Sequence, residues 1–201
     1  MGSAVTAVVL SKHPIRRRLP GVKVLNYVST IENAADQFAS RAAAVRLVDT
    51  PRFFFLDDTD ELPPGYLSLF DRAAHVALVH TDERVNGARR TGGHWTREGH
   101  LANPLLVHHL ALCDTALARQ ALGFLEPGPY WPEFLLYHAL ALHSSAYMPE
   151  VGYLWNKRPG GLHDNHHTLM GQVLAVRWAR DNMKENPWQP KAHSSACSTR
   201  P

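Results

Sequence analysis

Four acidic side chains stand within five residues at Asp57, Asp58, Asp60 and Glu61, directly after the apolar run Phe53-Phe54-Phe55-Leu56. Clustered carboxylates at a strand end are hard oxygen ligands suited to Mg²⁺ or Mn²⁺, which usually share one or two carboxylates with substrate phosphates. A diphosphate is the natural completion of such a site. The plainer alternative is a solvated turn capping a helix that starts near Pro63, where acidic groups meet the positive end of the helix dipole. Four like charges at one strand end repel one another, however, and a cap needs only one of them.

The elements that would position these groups read as an α/β fold. Ala4–Leu10 is short, β-branched and apolar on both faces, as expected of a strand buried between helical layers. A basic, proline-bounded stretch leads to a second strand at Val22–Val28, and helix-capping residues at 29–33 precede an amphipathic helix over Ala34–Val48. Its apolar positions are Ala35, Phe38, Ala42, Val45 and Val48. Arg52–Leu56 is a third buried strand, so the acidic cluster falls at a carboxyl end, where open parallel sheets bind ligands. His75–His80 reads as a strand, Thr81–Asn103 as a long loop without periodicity, and Val107–Cys113 as another strand.

Asp114 or Thr115 is a candidate N-cap for a helix ending near Gly123, and Glu133–His143 is a further helix. Tyr147–Asn156 reads as two short extended segments about Pro149-Glu150, and Lys157–Gly161 as a loop. His166–Lys184 is a last helix that would bury Leu169, Val173, Val176 and Trp178. Residues 186–201 are expected to form a flexible tail, leaving 1–185 as the folded domain. His108 and His109 would face opposite sides of their strand and so cannot both join one site.

Several of these segments resemble the GT-A fold glycosyltransferases, family 2 in particular. Residues 54–67, Phe-Phe-Leu-Asp-Asp-Thr-Asp-Glu-Leu-Pro-Pro-Gly-Tyr-Leu, look like that family's strand, DxD motif and following helix. Ala39–Ala44 sits where the family has its small-residue-plus-Arg helix. Leu122–Glu126 with Tyr130–Tyr137 is similar to its Gly-Phe turn and acidic helix start, and Ala146–Tyr153 resembles the next strand. The resemblance covers roughly residues 4–165. It implies a single Rossmann-like domain with a mostly parallel central sheet flanked by helices.

By this resemblance Asp58 and Asp60 hold a divalent metal, Mn²⁺ or Mg²⁺, with His163 completing the site. Asp57, Asp58, Arg41, Lys157 and Arg158 contact a nucleoside-diphosphate sugar, a UDP-sugar being favoured. Glu133 is the general base. The chain departs from the family at Thr59, where members often carry a carboxylate, at Pro132, where a second acid is missing, and at Asn26-Tyr27, near the usual base-reading Asp. The implied reaction is inverting transfer of a sugar to an acceptor hydroxyl. The segment Arg84–His100, with Arg84, Arg89, Arg90, Arg97 and Trp95, is where acceptor recognition would sit. Trp131, beside Glu133, could stack on an acceptor ring.

Composition narrows the partners. A chain of 201 residues and 22.5 kDa fits one globular domain, and a net charge of +3 is a small surplus rather than a polyphosphate-binding stripe. Cys113 and Cys197 cannot build a disulfide framework. No apolar run approaches the ~20 residues of a membrane span, and no secretory leader is evident, so a cytoplasmic protein is expected, in the host cytoplasm if the source is viral. A hydroxymethylated base in DNA is the most pointed acceptor, and a saccharide or cell-envelope acceptor is the other. A non-catalytic sugar-nucleotide-binding module and a zinc protein built on His163, His166 and His167, suggested by the 13 histidines, are the competing classes.

Overall fold

The computed structural model describes residues 4–30, 34–72, 75–125, 132–157, 166–183 and 187–188. Among these described residues seven strands and six helices follow in the order β1 (Val5–Ser11), β2 (Lys23–Val28), α1 (Ala34–Leu47), β3 (Arg52–Asp57), α2 (Tyr66–Asp71), β4 (Leu78–Val85), β5 (Ala88–Arg90), α3 (Arg97–Ala102), β6 (Ala111–Asp114), α4 (Thr115–Phe124), α5 (Pro132–His143), β7 (Ser145–Trp155) and α6 (His166–Asn182). The sheet order is β2-β1-β3-β6-β4-β5, with β7 also paired to β4. The α/β class and the central sheet flanked by helices are as expected from the sequence. The sheet is mixed: β1/β2, β1/β3 and β4/β7 run parallel, while β3/β6, β4/β6 and β4/β5 run antiparallel.

The continuous apolar strands serve two cores. Val8, Leu10, Phe53 and Phe55 face a cluster with Phe38, Val45, Leu135 and Ala175 from α1, α5 and α6. Ala7, Val9, Phe54 and Leu56 face the opposite cluster with Tyr66 and Phe70 of α2. Alternation at period two therefore places one set of side chains under each layer, which is why β1 and β3 show no polar face. The Asp114 cap holds as read, its carboxylate accepting from Leu117 N–H at 2.9 Å.

Four readings need correction. The long loop at 81–103 is instead the second half of β4, a hairpin and α3. Polar residues hide this strand: Thr81, Asp82 and Glu83 are fully buried, with Asp82 paired to Arg89 and Glu83 to Arg90 across β4/β5. The hairpin turns at Asn86 and Gly87, both at positive φ (47° and 89°), and an Asn-Gly pair of this kind is itself a turn signal. Tyr147–Asn156 is not two segments: β7 runs unbroken past Pro149, absorbing it in a register shift against Thr81/Asp82. His108 and His109 precede β6, so strand alternation does not separate them.

Along α6 and just past its end the buried stripe is Gly171, Ala175, Ala179 and Met183, whereas Leu169 and Val173 are exposed. Small residues at four-residue spacing let α6 approach α5 closely and carry little hydrophobic signal. The tail expected from 186 onward lies outside the described residues except at Pro187 and Trp188. Trp188 is ordered on α5, donating from Nε1 to Ala139 O at 2.8 Å.

Gly152 lies where β7 crosses Thr81, and a Cβ there would collide with the Thr81 hydroxyl and come within 2.6 Å of Leu110 Cδ2. Gly152→Ala is expected to destabilise the fold by about 1–3 kcal/mol in urea unfolding, with an unchanged m-value. Burial, with neighbouring His108, pushes His80 down from 6.5 to about 4, and burial does the same to His138. Unfolded histidines bind protons more readily in this window, so stability falls as pH drops from 6.5 towards 4. His80→Leu should flatten that slope in thermal unfolding followed across the same pH range.

Candidate functional site

The carboxyl ends of β1 and β3, the N-terminus of α5, the end of β7 and the segment before β6 enclose a cavity of ≈ 580 Å³. Asp57, Asp58, Arg41, Glu133 and Lys157 all line it. The acidic turn is held from beneath by Arg17, whose guanidinium donates to the main-chain oxygens of Asp57 (3.2 Å), Asp58 (3.4 Å) and Asp60. One cation on three carbonyls offsets the mutual repulsion of the carboxylates above.

Asp60 is tied into the scaffold. It is 2% exposed; Oδ2 accepts from the Tyr153 hydroxyl at 2.8 Å and Oδ1 from Asn156 N–H at 3.0 Å. Burial raises its pKa, and the Tyr153 bond opposes the shift. Asp60 is a staple from the β3 turn to the end of β7, reinforced by reciprocal main-chain bonds between Glu61 and Leu154 (3.1 and 2.9 Å). Asp60, expected with Asp58 on the metal, thus has each carboxylate oxygen engaged once and lines the cavity with Asp57 and Asp58; the Asp57 side chain is 36% exposed.

Among the described residues no group of three or more His, Cys, Asp or Glu is disposed to hold a metal. Two adjacent carboxylates still fit the mode in which Mg²⁺ or Mn²⁺ takes its other ligands from phosphate and water. Arg158, His163 and Trp131 lie outside the described residues, and nothing is described of the His166 and His167 side chains.

Glu133 sits at the first turn of α5, 2.5 Å from Arg41 Nη2 through Oε1, which also accepts from Gln37 Nε2 at 3.3 Å. Its Oε2 is buried and has no hydrogen-bond partner among the described residues. Arg41 reaches from α1 to bridge Glu133 and Asp57 (3.4 Å), its guanidinium 4.3 Å from the Phe55 ring centre. Burial alone would lower the Arg41 pKa, but Glu133 and Asp57 outweigh it and keep the group charged. Burial pushes the Glu133 carboxyl up and Arg41 restrains the shift. The result is a carboxylate more basic than usual, fixed at one oxygen and without a hydrogen-bond partner among the described residues at the other. Arg41 was expected on the nucleotide; here its Nη2 joins Glu133 to the acidic strand end.

Asn26 does not line the cavity: it accepts from Ile15 N–H at 2.9 Å and donates to Ser11 Oγ at 2.7 Å, tying down the segment after β1. His108 and His109, set aside as structural in the sequence, both line the cavity, beside the buried Glu83. Sequence reasoning missed Glu83 as well, since a lone Glu in a polar stretch gives no sign of lying in a central strand. Its pairing partner seven residues on, Arg90 beyond the Asn-Gly turn, was the available signal.

No family model matches the chain, and no curated protein matches it. Among solved structures it is similar to S. aureus TarS 1-349, with TM-score 0.51 and 12% identity over 78% of this chain and 60% of that one. TarS 1-349 in complex with UDP-GlcNAc gives TM-score 0.50 and 14% identity over 73% and 44%. TarS itself gives 0.51 and 12% over 79% and 37%. The chain thus spans 37–60% of the length of these structures. TarS is a GT-A-type glycosyltransferase, and the likeness establishes for this chain a GT-A glycosyltransferase fold. No described helix is long and apolar enough to cross a membrane.

Removing the Arg41 cation would leave Glu133 buried without a counter-charge. Arg41→Met is expected to cost about 3–5 kcal/mol near neutral pH. A carboxyl raised in the folded state stabilises most below its unfolded pKa and loses that contribution as pH rises through the folded value. The penalty should therefore shrink on acidification towards pH 4.5, as read by urea unfolding of the variant and wild type at each pH.

Proposed function

We propose that the protein is a glycosyltransferase that moves a sugar from a nucleoside diphosphate, UDP by preference, to an acceptor hydroxyl with inversion. The observation that carries this reading is a cavity lined jointly by Asp57, Asp58 and Glu133, whose buried Oε2 has no hydrogen-bond partner among the described residues. The solved complex of a fold neighbour with UDP-GlcNAc supports the choice of donor.

In this mechanism Glu133 Oε2 takes the acceptor hydroxyl proton while the acceptor oxygen bonds to the anomeric carbon from the face opposite the diphosphate. The bond from that carbon to the phosphate oxygen breaks, and the nucleoside diphosphate leaves with the electron pair. Arg41 holds Glu133 ionised before the transfer and fixes its orientation towards the cavity. Base catalysis of this kind contributes ~10²–10⁴-fold. A divalent ion held by Asp57 and Asp58 would supply Lewis-acid stabilisation of the departing diphosphate. His163 and Arg158 enter this proposal as further contacts to metal and phosphate, and Lys157, on the cavity wall, as a phosphate contact.

The acceptor is proposed as a hydroxymethylated base in DNA, with a saccharide as the alternative. Arg89 is engaged by Asp82 and Arg90 by Glu83, which leaves Arg84 and Arg97 of that basic segment to meet a polyanion.

Calorimetry with UDP and UDP-sugars, with and without Mn²⁺, combined with assays of donor hydrolysis and transfer, tests the reading. Wild type should bind one nucleotide, and Glu133→Gln should keep that binding while turnover falls by ~10²-fold or more. Binding without turnover in the wild type would identify a sugar-nucleotide-binding module instead. No binding of any nucleotide would remove the glycosyltransferase reading.

A further inference from the structure

Residues 1–31 carry five Lys and Arg and no acid, whereas the whole chain has 21 Lys and Arg against 18 Asp and Glu. The remainder of the chain is therefore net negative, and the overall surplus of +3 conceals a polarity. Four of the five cations, Lys12, Arg16, Arg17 and Arg18, fall in the segment between β1 and β2. The fifth, Lys23, is paired with Asp49 at 2.5 Å.

The segment is irregular in backbone but pinned along its length. Ser11 Oγ donates to His13 O at 2.7 Å, Ile15 N–H to Asn26 Oδ1 at 2.9 Å, and Arg17 to the three carbonyls of the acidic turn. Leu19 O accepts from Val22 N–H at 3.1 Å, and Ile15 and Leu19 pack on the core that holds Tyr66 and Phe70. Exposure alternates accordingly: Ile15, Arg17 and Leu19 are half-buried, while Pro14, Arg16 and Arg18 are exposed. Lys12 and His13 are exposed and also line the cavity, so the segment sets out from the cavity opening. Arg17 is the anchor, and Lys12, Arg16 and Arg18 have no ion-pair or hydrogen-bond partner among the described residues.

One exposed cation is an ordinary solubilising group; three on a fixed backbone beside a cavity are a footprint for a polyanion. A segment that rests on a lipid surface joins its cations to an inserted apolar face. Here Ile15 and Leu19 turn inward, and none of the large hydrophobic side chains exposed among the described residues falls on this segment. Guanidinium groups, two of the three cations, match phosphate oxygens with paired donors. We infer that Lys12, Arg16 and Arg18 form a nucleic-acid contact that grips the phosphodiester backbone at the cavity opening. The inference deepens the acceptor half of the proposed function and rests on it for the choice of DNA, but the contact is tested without sugar transfer.

Fluorescence anisotropy of a short labelled DNA duplex, titrated with the full chain across ~50–200 mM salt, is the direct probe. EDTA keeps a divalent ion from bridging DNA to Asp57 and Asp58. Wild type should bind, with log affinity falling linearly against log salt. Arg16→Gln/Arg18→Gln should weaken binding about tenfold or more, equally for unrelated sequences, and reduce the salt slope by about 1 for each cation removed. Arg16→Lys/Arg18→Lys, which keeps the charge, should retain the slope. Arg177→Gln/Arg180→Gln removes the same charge from exposed positions of α6 and should bind as wild type. Thermal unfolding of each variant separates a lost contact from a lost fold. No binding by wild type, or equal losses in the two Gln variants, overturns the inference. Binding to vesicles of phosphatidylserine and phosphatidylcholine in equal parts, in place of DNA, also overturns it and assigns the segment to a membrane surface.

UDP titrated by calorimetry into the same proteins keeps the two readings apart. DNA binding that depends on Arg16 and Arg18 in a protein that binds no UDP would keep the inference and remove the glycosyltransferase reading. UDP binding in a protein that holds no DNA would do the reverse.

Discussion

The bridge from Arg41 to Glu133 and Asp57 ties together three elements that the chain must bring in from far apart: α1, the end of β3 and the start of α5. A guanidinium buried this deeply is tolerable only with carboxylates beside it, and the buried Glu133 carboxylate only with the guanidinium. The stacking of Arg41 over Phe55 adds a geometric constraint, since the ring belongs to the core and fixes the plane of the cation. Once that bridge is made, one cation faces two carboxylates, and this wall of the cavity keeps a net negative charge. The acidic turn then needs its own support, which Arg17 supplies through the main chain and Asp60 through Tyr153 and Asn156.

Much of this was legible in the residues. Continuous apolar runs marked β1 and β3 because both faces of those strands are covered, and the apolar period of α1 marked the stripe of Phe38, Ala42 and Val45 that meets the core. The acidic cluster after Phe-Leu and the isolated Glu after Pro132 pointed to the cavity that Asp57, Asp58 and Glu133 share. The sequence could not separate Asp60 from its neighbours. Four acidic side chains within five residues look alike until a tyrosine 93 residues away claims one of them.

The second half of β4 was hidden for a related reason. Hydrophobic patterning assumes that what is buried is apolar, but Asp82 and Glu83 are buried as ion pairs whose partners lie across a two-residue turn. The stretch therefore reads as a polar loop although it forms an inner strand of the sheet, with β5, β6 and β7 all paired to it. The error in α6 has the opposite sign: Leu169 and Val173 looked like core, while glycine and alanine do the packing. In both places the contacts that decide burial are long-range, and single-residue character misleads.

The hairpin at Asn86-Gly87 gives the protein a division of labour between scaffold and surface. Gly87 is open to added volume, with nothing within 4 Å of a Cβ there, and the turn stands at the rim of the sheet. Arg89 and Arg90 nonetheless reach inward from it to the buried acids of β4. Exchanges at the open tip leave these pairs intact, whereas a change that moved Arg89 or Arg90 would strand a fully buried carboxylate in an inner strand of the sheet. The tip of the ribbon is thus free to vary, while its base is held to the demands of folding by charge.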